Sequence, residues 1–327
     1  MSATVPERLQ QARSSAERPS AHFSAPTSLA EVLDALATGA VPLAGGTDLV
    51  VGHRQGKRLL PDALVNLDHV ADLRGIVEGV NGSLFIGALT NPETIVNDER
   101  VRSSYPALAD ASSIVGSAAT RATGTIGGNV MNASPAADTI APLLCHDAIA
   151  VLRSTGGERR VAFGELFVGP GRTTATSGEL LVGIELAPSS ATTGGAYVRL
   201  EYRRQMEIAI VGAAAVVRLD AGGRVEYARV AMTALAPTIQ RVPAAEDALL
   251  GTDAGAAAAR AAGEAVAAAA RPISDVRGSA SYRRAMAAVI TQRAVTTAAT
   301  RARGGVVRIP ASDSTFGGRA GNEGSGS

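Results

Sequence analysis

Two short runs constrain this chain more than any other feature: Ala44-Gly45-Gly46-Thr47-Asp48 and Thr125-Ile126-Gly127-Gly128-Asn129. The first follows a short apolar stretch, and each sets two adjacent glycines near a hydroxyl and a side chain able to accept hydrogen bonds. Paired glycines admit positive φ and remove the Cβ atoms that would hold a ligand away from the main chain. Successive amides in such a turn can converge into a concave anion nest. Two nests suit a ligand with two phosphates, such as a dinucleotide. Neither run reads G-x-G-x-x-G ahead of a long helix, so a Rossmann-type site is not expected.

Composition removes several alternatives. A formal net charge of +1 over 327 residues offers no basic field for nucleic acid. Aromatic residues make up 3% of the chain and Trp is absent, which leaves little for stacking on bases. No apolar run approaches the roughly 18 residues of a membrane span, and Met1 to Ser20 lacks the apolar core of a signal peptide. A cytoplasmic protein is expected. The single cysteine, Cys145, can neither close an internal disulfide nor hold an iron–sulfur cluster, which normally takes four cysteines. It reads as a small buried residue in Pro142-Leu143-Leu144-Cys145. His146 beside it does not face it on a helix. The four histidines show no metal-ligand spacing, and neither a Ser-His-Asp set nor a paired-carboxylate arrangement stands out. A redox relay fits that lack of bond-breaking apparatus.

Along the chain, residues 1–20 read as a disordered arm. A helix over Thr27 to Ala37 and strands at Val41 to Ala44, Ala63 to Leu67 and Ser83 to Ala88 follow. Further helices are expected after Asn91-Pro92 and Pro106 and from Thr139 to Cys145. Strands are expected at Ala148 to Leu152, Arg160 to Phe163 and Leu180 to Leu186. Pro188 to Gly195 marks the main domain break. Strands at Ala196 to Leu200, Ile208 to Leu219 and Val225 to Ala234 lie beyond it, and Ala221-Gly222-Gly223 turns between the last two. Two helices, over about Asp253 to Arg271 and Ser281 to Arg303, come next. High helix propensity and small packing faces explain the Ala-rich one as scaffold. Residues 309–327 read as a disordered tail, Gly/Ser-rich from Thr315.

With the surrounding residues included, the two glycine runs resemble a known family. Pro42-Leu43-Ala44-Gly45-Gly46-Thr47-Asp48-Leu49 resembles the first flavin motif of the FAD-binding subunits of molybdenum hydroxylases, the xanthine dehydrogenase and carbon monoxide dehydrogenase family. Gly124 to Asn129 followed by Ala133-Ser134-Pro135-Ala136-Ala137-Asp138 resembles the second. Similarity extends through most of residues 22–305, including Glu179 to Ile184, Glu207 to Ala214 and Ser281 to Met286. Two departures are visible: Glu207 stands where members usually carry Asp, and Arg203 and Arg204 fill a stretch often containing Lys. Because that stretch lies near the flavin and its electron acceptor in relatives, they leave acceptor identity open.

The resemblance implies an α+β fold. A bipartite PCMH-type FAD-binding domain over 21–188 precedes a carbon-monoxide-dehydrogenase-flavoprotein-like C-terminal domain over 195–308, an antiparallel sheet packed by helices. It implies an oxidoreductase in which this flavoprotein chain carries FAD as an electron-transfer subunit of a heterotrimer. A large partner subunit would carry a molybdopterin-type cofactor and a small one two [2Fe–2S] clusters. The expected assembly is a dimer of heterotrimers, with electrons leaving to an external acceptor.

On this reading Ala44, Gly45, Gly46 and Thr47 cradle the FAD pyrophosphate, and Asp48 fixes their loop through backbone N–H groups. Thr125, Ile126, Gly127, Gly128 and Asn129 would meet phosphate or ribose. Asp138 is either a helix cap or a flavin acceptor, and Ser134 belongs to the same pocket. Arg203 is either a solvated cation or a charge beside the flavin ring. Two other functions remain open: a self-sufficient FAD-dependent oxidoreductase of related fold, and a scaffold that has lost its cofactor.

Overall fold

The computed structural model of the protein describes residues 22–203 and 205–315; the expected arm over 1–20 lies outside them. Strands β1 (His22–Ser24), β2 (Val41–Leu43) and β3 (Ala63–Asn66) form a parallel sheet in the order β1-β3-β2. Between β1 and β2 runs helix α1 (Leu29–Ala37), which opens on a reciprocal cap. The Ser28 hydroxyl accepts the Glu31 amide at 3.3 Å, and the Glu31 carboxylate accepts the Ser28 amide at 3.2 Å. The first glycine run connects β2 to a short helix, α2 (Leu49–Arg54).

A second, antiparallel sheet contains β4 (Ile76–Glu78), β5 (Leu84–Gly87), β6 (Ile149–Ser154) and β7 (Gly157–Ala162). After a small hairpin of β8 (Phe167–Gly169) and β9 (Arg172–Thr173), β10 (Leu180–Leu186) completes it in the order β4-β5-β10-β6-β7. Helices α3 (Pro106–Ser113), α4 (Ile126–Met131) and α5 (Ile140–Cys145) lie between β5 and β6 in sequence. The last sheet is antiparallel, with β11 (Thr193–Leu200), β12 (Val211–Leu219), β13 (Val225–Thr233) and β14 (Gln240–Arg241) in chain order. Helices α6 (Ala256–Ala269), α7 (Ala280–Ala302) and α8 (Ala311–Thr315) follow.

These elements stack in layers that share faces. One face of the five-stranded sheet (Val151, Leu180, Val182) packs on Val32, Leu33 and Leu36 of α1. Its other face (Ile86, Leu152, Ile184) packs on α3, α4 and α5, whose far side meets Tyr197, Ala214, Val216 and Ala231 of the last sheet. The opposite face of that sheet (Val198, Ala213, Ala215, Val217) is covered by α6 and α7. A strand buried on both faces has no use for alternation, which is why Val211–Leu219 reads as an almost unbroken apolar run.

Two expectations shift. The predicted break over Pro188 to Gly195 is shorter, because β11 already begins at Thr193. Gly194 serves packing there: a Cβ would sit 2.1 Å from the Ala298 carbonyl oxygen of α7. The predicted tail also starts later. Ala311–Thr315 is helical, Ala311 and Ser312 are buried, and the Ser312 hydroxyl accepts the Arg199 amide at 3.0 Å. The rest of the predicted tail, from residue 316, lies outside the described residues.

An ion pair around a fully buried carboxylate ties the layers together. Asp110 on α3 is 0% exposed and meets Arg301 of α7 at 2.6 and 3.0 Å, and it also accepts the amides of Tyr197 and Ala311. The buried thiol of Cys145 ends α5 as the sequence suggests. Beside it, burial lowers the His146 imidazole to about 4. An unfolded His titrates near 6.5, so the unfolded chain binds the extra proton between those values and stability falls as pH drops through that window. Replacing His146 with Phe is expected to flatten this limb by up to about 3 kcal/mol, read as urea unfolding free energy at several pH values. An unchanged acid limb would show that His146 does not cause it.

Candidate functional site

A cleft of about 870 Å³ is lined by residues of β2 and β10 and, from beyond β11, by residues 206–208. Ala44, Gly45, Gly46, Thr47, Asp48, Thr125, Ile126, Gly127, Gly128, Asn129, Ser134 and Asp138 all line it. Although about 80 residues separate the two glycine runs in sequence, they lie backbone to backbone in space. A Cβ on Gly45 would fall 1.9 Å from the Thr123 carbonyl oxygen, and one on Gly124 would lie 3.7 Å from the Thr47 hydroxyl. Gly46 sits at φ +68°, a left-handed conformation that favours glycine.

The runs are chemically different. In the first, the amides of Gly45, Gly46, Thr47 and Asp48 take no part in the described backbone hydrogen bonds beyond helices and strands, and α2 begins directly after them. Amides with no described protein partner, on a loop that lines a cleft, can serve as an anion receptor. In the second run the amides of Ile126, Gly127, Gly128 and Asn129 are already engaged. Ile126 donates to the Thr90 carbonyl, Gly127 to the Ala88 carbonyl at 2.9 Å, and Gly128 to the Thr125 hydroxyl at 3.0 Å. What reads as a turn is the capped start of α4, with Thr125 as its N-cap. The expectation that Gly127 and Gly128 meet phosphate or ribose through their amides is therefore corrected. Gly127 allows close packing, since a Cβ would stand 2.7 Å from Ala88. Gly128 leaves the helix start open toward the cleft, where a Cβ would meet only the Thr125 hydroxyl oxygen, at 2.9 Å.

Three further expectations change. Asp48 makes no capping bond; its carboxyl is pushed up by burial, with Arg58 acting against that. Asp138 is not a helix cap, because α5 starts at Ile140 behind Thr139 and both Asp138 oxygens are occupied elsewhere. Tyr197 donates to Oδ1 and Arg199 to Oδ2, each at 2.7 Å, and both come from β11 of the second domain. Arg203 does not line the cleft. Its side chain is 68% exposed and pairs with Glu207 at 3.0 Å; Glu207, not the arginine, faces inward. Asn129 accepts the Thr139 hydroxyl at 2.7 Å, and Ser134 accepts the Ala136 amide at 3.3 Å.

Sequence reading missed Lys57, Arg58, Glu179 and Met206 as wall residues. The basic pair Lys57-Arg58, a few residues after α2, was a visible signal for a polyanionic ligand. Met206 carried none: its amide reaches the Gly116 carbonyl at 2.9 Å from a left-handed backbone, a contact between distant segments. Glu179 is tied by two bonds to Arg159, which holds its carboxyl down to about 2.

Residues 18–189 match the family described as the FAD binding domain in molybdopterin dehydrogenase, and residues 196–298 match the CO dehydrogenase flavoprotein C-terminal domain. The chain is 32% identical over 283 residues to the carbon monoxide dehydrogenase medium chain of Hydrogenophaga pseudoflava, covering 86% of this chain and 97% of that one. It is 33% identical over 230 residues to the xanthine dehydrogenase FAD-binding subunit of Escherichia coli O157:H7, covering 69% and 78%. Among solved structures, a chain of carbon monoxide dehydrogenase from Hydrogenophaga pseudoflava superimposes with a TM-score of 0.82 at 33% identity, over 86% of this chain and 98% of that one. A chain of quinoline 2-oxidoreductase from Pseudomonas putida 86 does so with a TM-score of 0.79 at 30% identity, over 88% and 99%.

Proposed function

The chain belongs to the FAD-binding subunits of the molybdenum hydroxylases, the carbon monoxide dehydrogenase and xanthine dehydrogenase family, and from that premise we propose that its cleft seats FAD with the pyrophosphate on the amides of Gly45 to Asp48. The residues present fit this group: free amides, a glycine surface that any Cβ would obstruct, and Lys57 and Arg58 on the same wall. The unpartnered amides of the first glycine run are the observation that carries the assignment. Thr125, Ile126, Gly127, Gly128 and Asn129 would shape the adjoining wall, with Ser134 and Asp138 at its floor. FAD supplies, when bound, the redox chemistry of an electron carrier.

The protein is the medium, FAD-carrying subunit of an oxidoreductase that works with large and small partner subunits, the molybdenum cofactor residing on a partner. With a single, buried cysteine, this chain cannot itself ligate the iron–sulfur clusters. Electron entry from two [2Fe–2S] clusters of the small subunit, exit to an external acceptor, and assembly as a dimer of heterotrimers complete the proposal. So do the division at 21–188 and 195–308 and a cytoplasmic location; no helix among the described residues is long and apolar enough to cross a membrane.

An absorption spectrum of the protein purified gently from its host tests this. Flavin bands over iron–sulfur absorbance, with a large and a small subunit co-eluting, are expected, and the isolated chain should oxidise no substrate. Flavin on a lone chain that turns over substrate unaided would overturn the relay in favour of a self-sufficient oxidoreductase.

A further inference from the structure

Behind the cleft floor lies a cluster that neither glycine run announces. Asp138 is 7% exposed, and the Arg199 side chain is fully buried. Arg199 donates Nη1 to Asp138 at 2.7 Å and Nη2 to Glu201, while the Tyr197 hydroxyl donates to the other Asp138 oxygen at 2.7 Å. The Arg199 amide is held by the Ser312 hydroxyl of α8. Arginine and tyrosine come from the second domain; the carboxylate comes from the first and lines the cleft.

We propose that Arg199, assisted by Tyr197, is a positioning residue for the cofactor: from the second domain it holds Asp138 ionised and rotationally fixed, so that the carboxylate's remaining lone pairs receive an N–H or O–H of bound FAD. The inference rests on the FAD reading of the cleft. A carboxylate accepts at about four lone-pair sites, and the two protein donors leave acceptor capacity free. Burial is the largest influence on the Asp138 carboxyl and pushes it up; the Arg199 guanidinium and the Tyr197 hydroxyl limit that rise. Neutral Asp138 would turn from pure acceptor into partial donor, and a donor on FAD would lose its partner. Arg199 itself does not line the cleft and reaches it only through Asp138.

The test measures FAD affinity of the full-length chain, stripped of flavin, by fluorescence quenching from about pH 5.5 to about pH 8.5, a range spanning a raised carboxyl. The groups facing Asp138 are Arg199 and Tyr197 from β11. Glu201 lies beyond Arg199, and Asp313 of α8 acts on Glu201. Wild type should bind with little pH dependence. R199M should bind about 10- to 100-fold more weakly at neutral pH, with affinity rising as pH rises and the carboxyl ionises. R199K, which keeps the charge, should restore most of the affinity and the flat profile.

If R199M does not fold, R199Q keeps a donor without the charge and should show the same rising profile. A merely structural arginine would lower the melting temperatures of apo and FAD-bound protein alike and leave the dissociation constant flat within about two-fold. That result, in a wild type that binds FAD, overturns this inference alone. Failure of wild type to bind FAD would overturn the cofactor reading and this inference with it.

Discussion

Asp110→Ala is expected to lower folding stability by about 3–5 kcal/mol, because it leaves the Arg301 guanidinium buried without its counter-charge. Asp110 is fully buried, and the Arg301 side chain is 8% exposed. The carboxylate also accepts two amides, those of Tyr197 and Ala311. Four donors from three parts of the second domain thus converge on one side chain of α3. At about 2–4 °C per kcal/mol the melting temperature should fall by about 6–20 °C. An exposed pair provides the comparison: Arg153 and Glu158 are 48% and 36% exposed, and Arg153→Ala should change stability by no more than about 1 kcal/mol. Combining Asp110→Leu with Arg301→Met should recover part of the loss, since an apolar pair of similar volume often replaces a buried ion pair without cost. Denaturant melts that place Asp110→Ala beside Arg153→Ala would show that the pair does not hold the layers together.

Gly45→Ala should weaken retention of FAD while leaving most of the fold intact. The new methyl would lie 1.9 Å from a backbone oxygen, that of Thr123, so no rotamer change can relieve the contact. The loops must part, and the amides of Gly45 to Asp48 move with them. Overpacking of this kind costs about 1–3 kcal/mol, which corresponds to about 10- to 100-fold in affinity if it falls on the bound geometry. Gly164→Ala is the control, because a Cβ there meets nothing within 4 Å. Flavin content after gel filtration and a fluorescence titration read both variants. Stoichiometric FAD on Gly45→Ala would remove the first glycine run from the binding site.

Much of this was written into local sequence. Ser28 with Glu31, Asn91 with Pro92, and the apolar runs at Leu180 to Leu186 and Val211 to Leu219 each specify an element through neighbours a few residues away. Glycine pairs marked the cleft for the same reason: removing Cβ is a local act with a local signature. The second run misled as to its role. Its glycines answer to Ala88 and to the start of α4, and the demand for close packing looks the same in sequence as the demand for a phosphate. Arg203 misled because a cation near a site in sequence can turn to solvent for a nearby Glu207.

By itself the sequence determined most of the strands and long helices, the family and the two glycine runs that line the cleft. Only the tertiary structure decided which amides are free, that Asp138 answers to Tyr197 and Arg199, and that Asp110 answers to Arg301. Partners 59, 61 and 191 positions apart leave no periodicity to read. A buried charge needs its counter-charge within a few ångströms in space, and the order of residues along the chain does not fix that distance until the layers have packed.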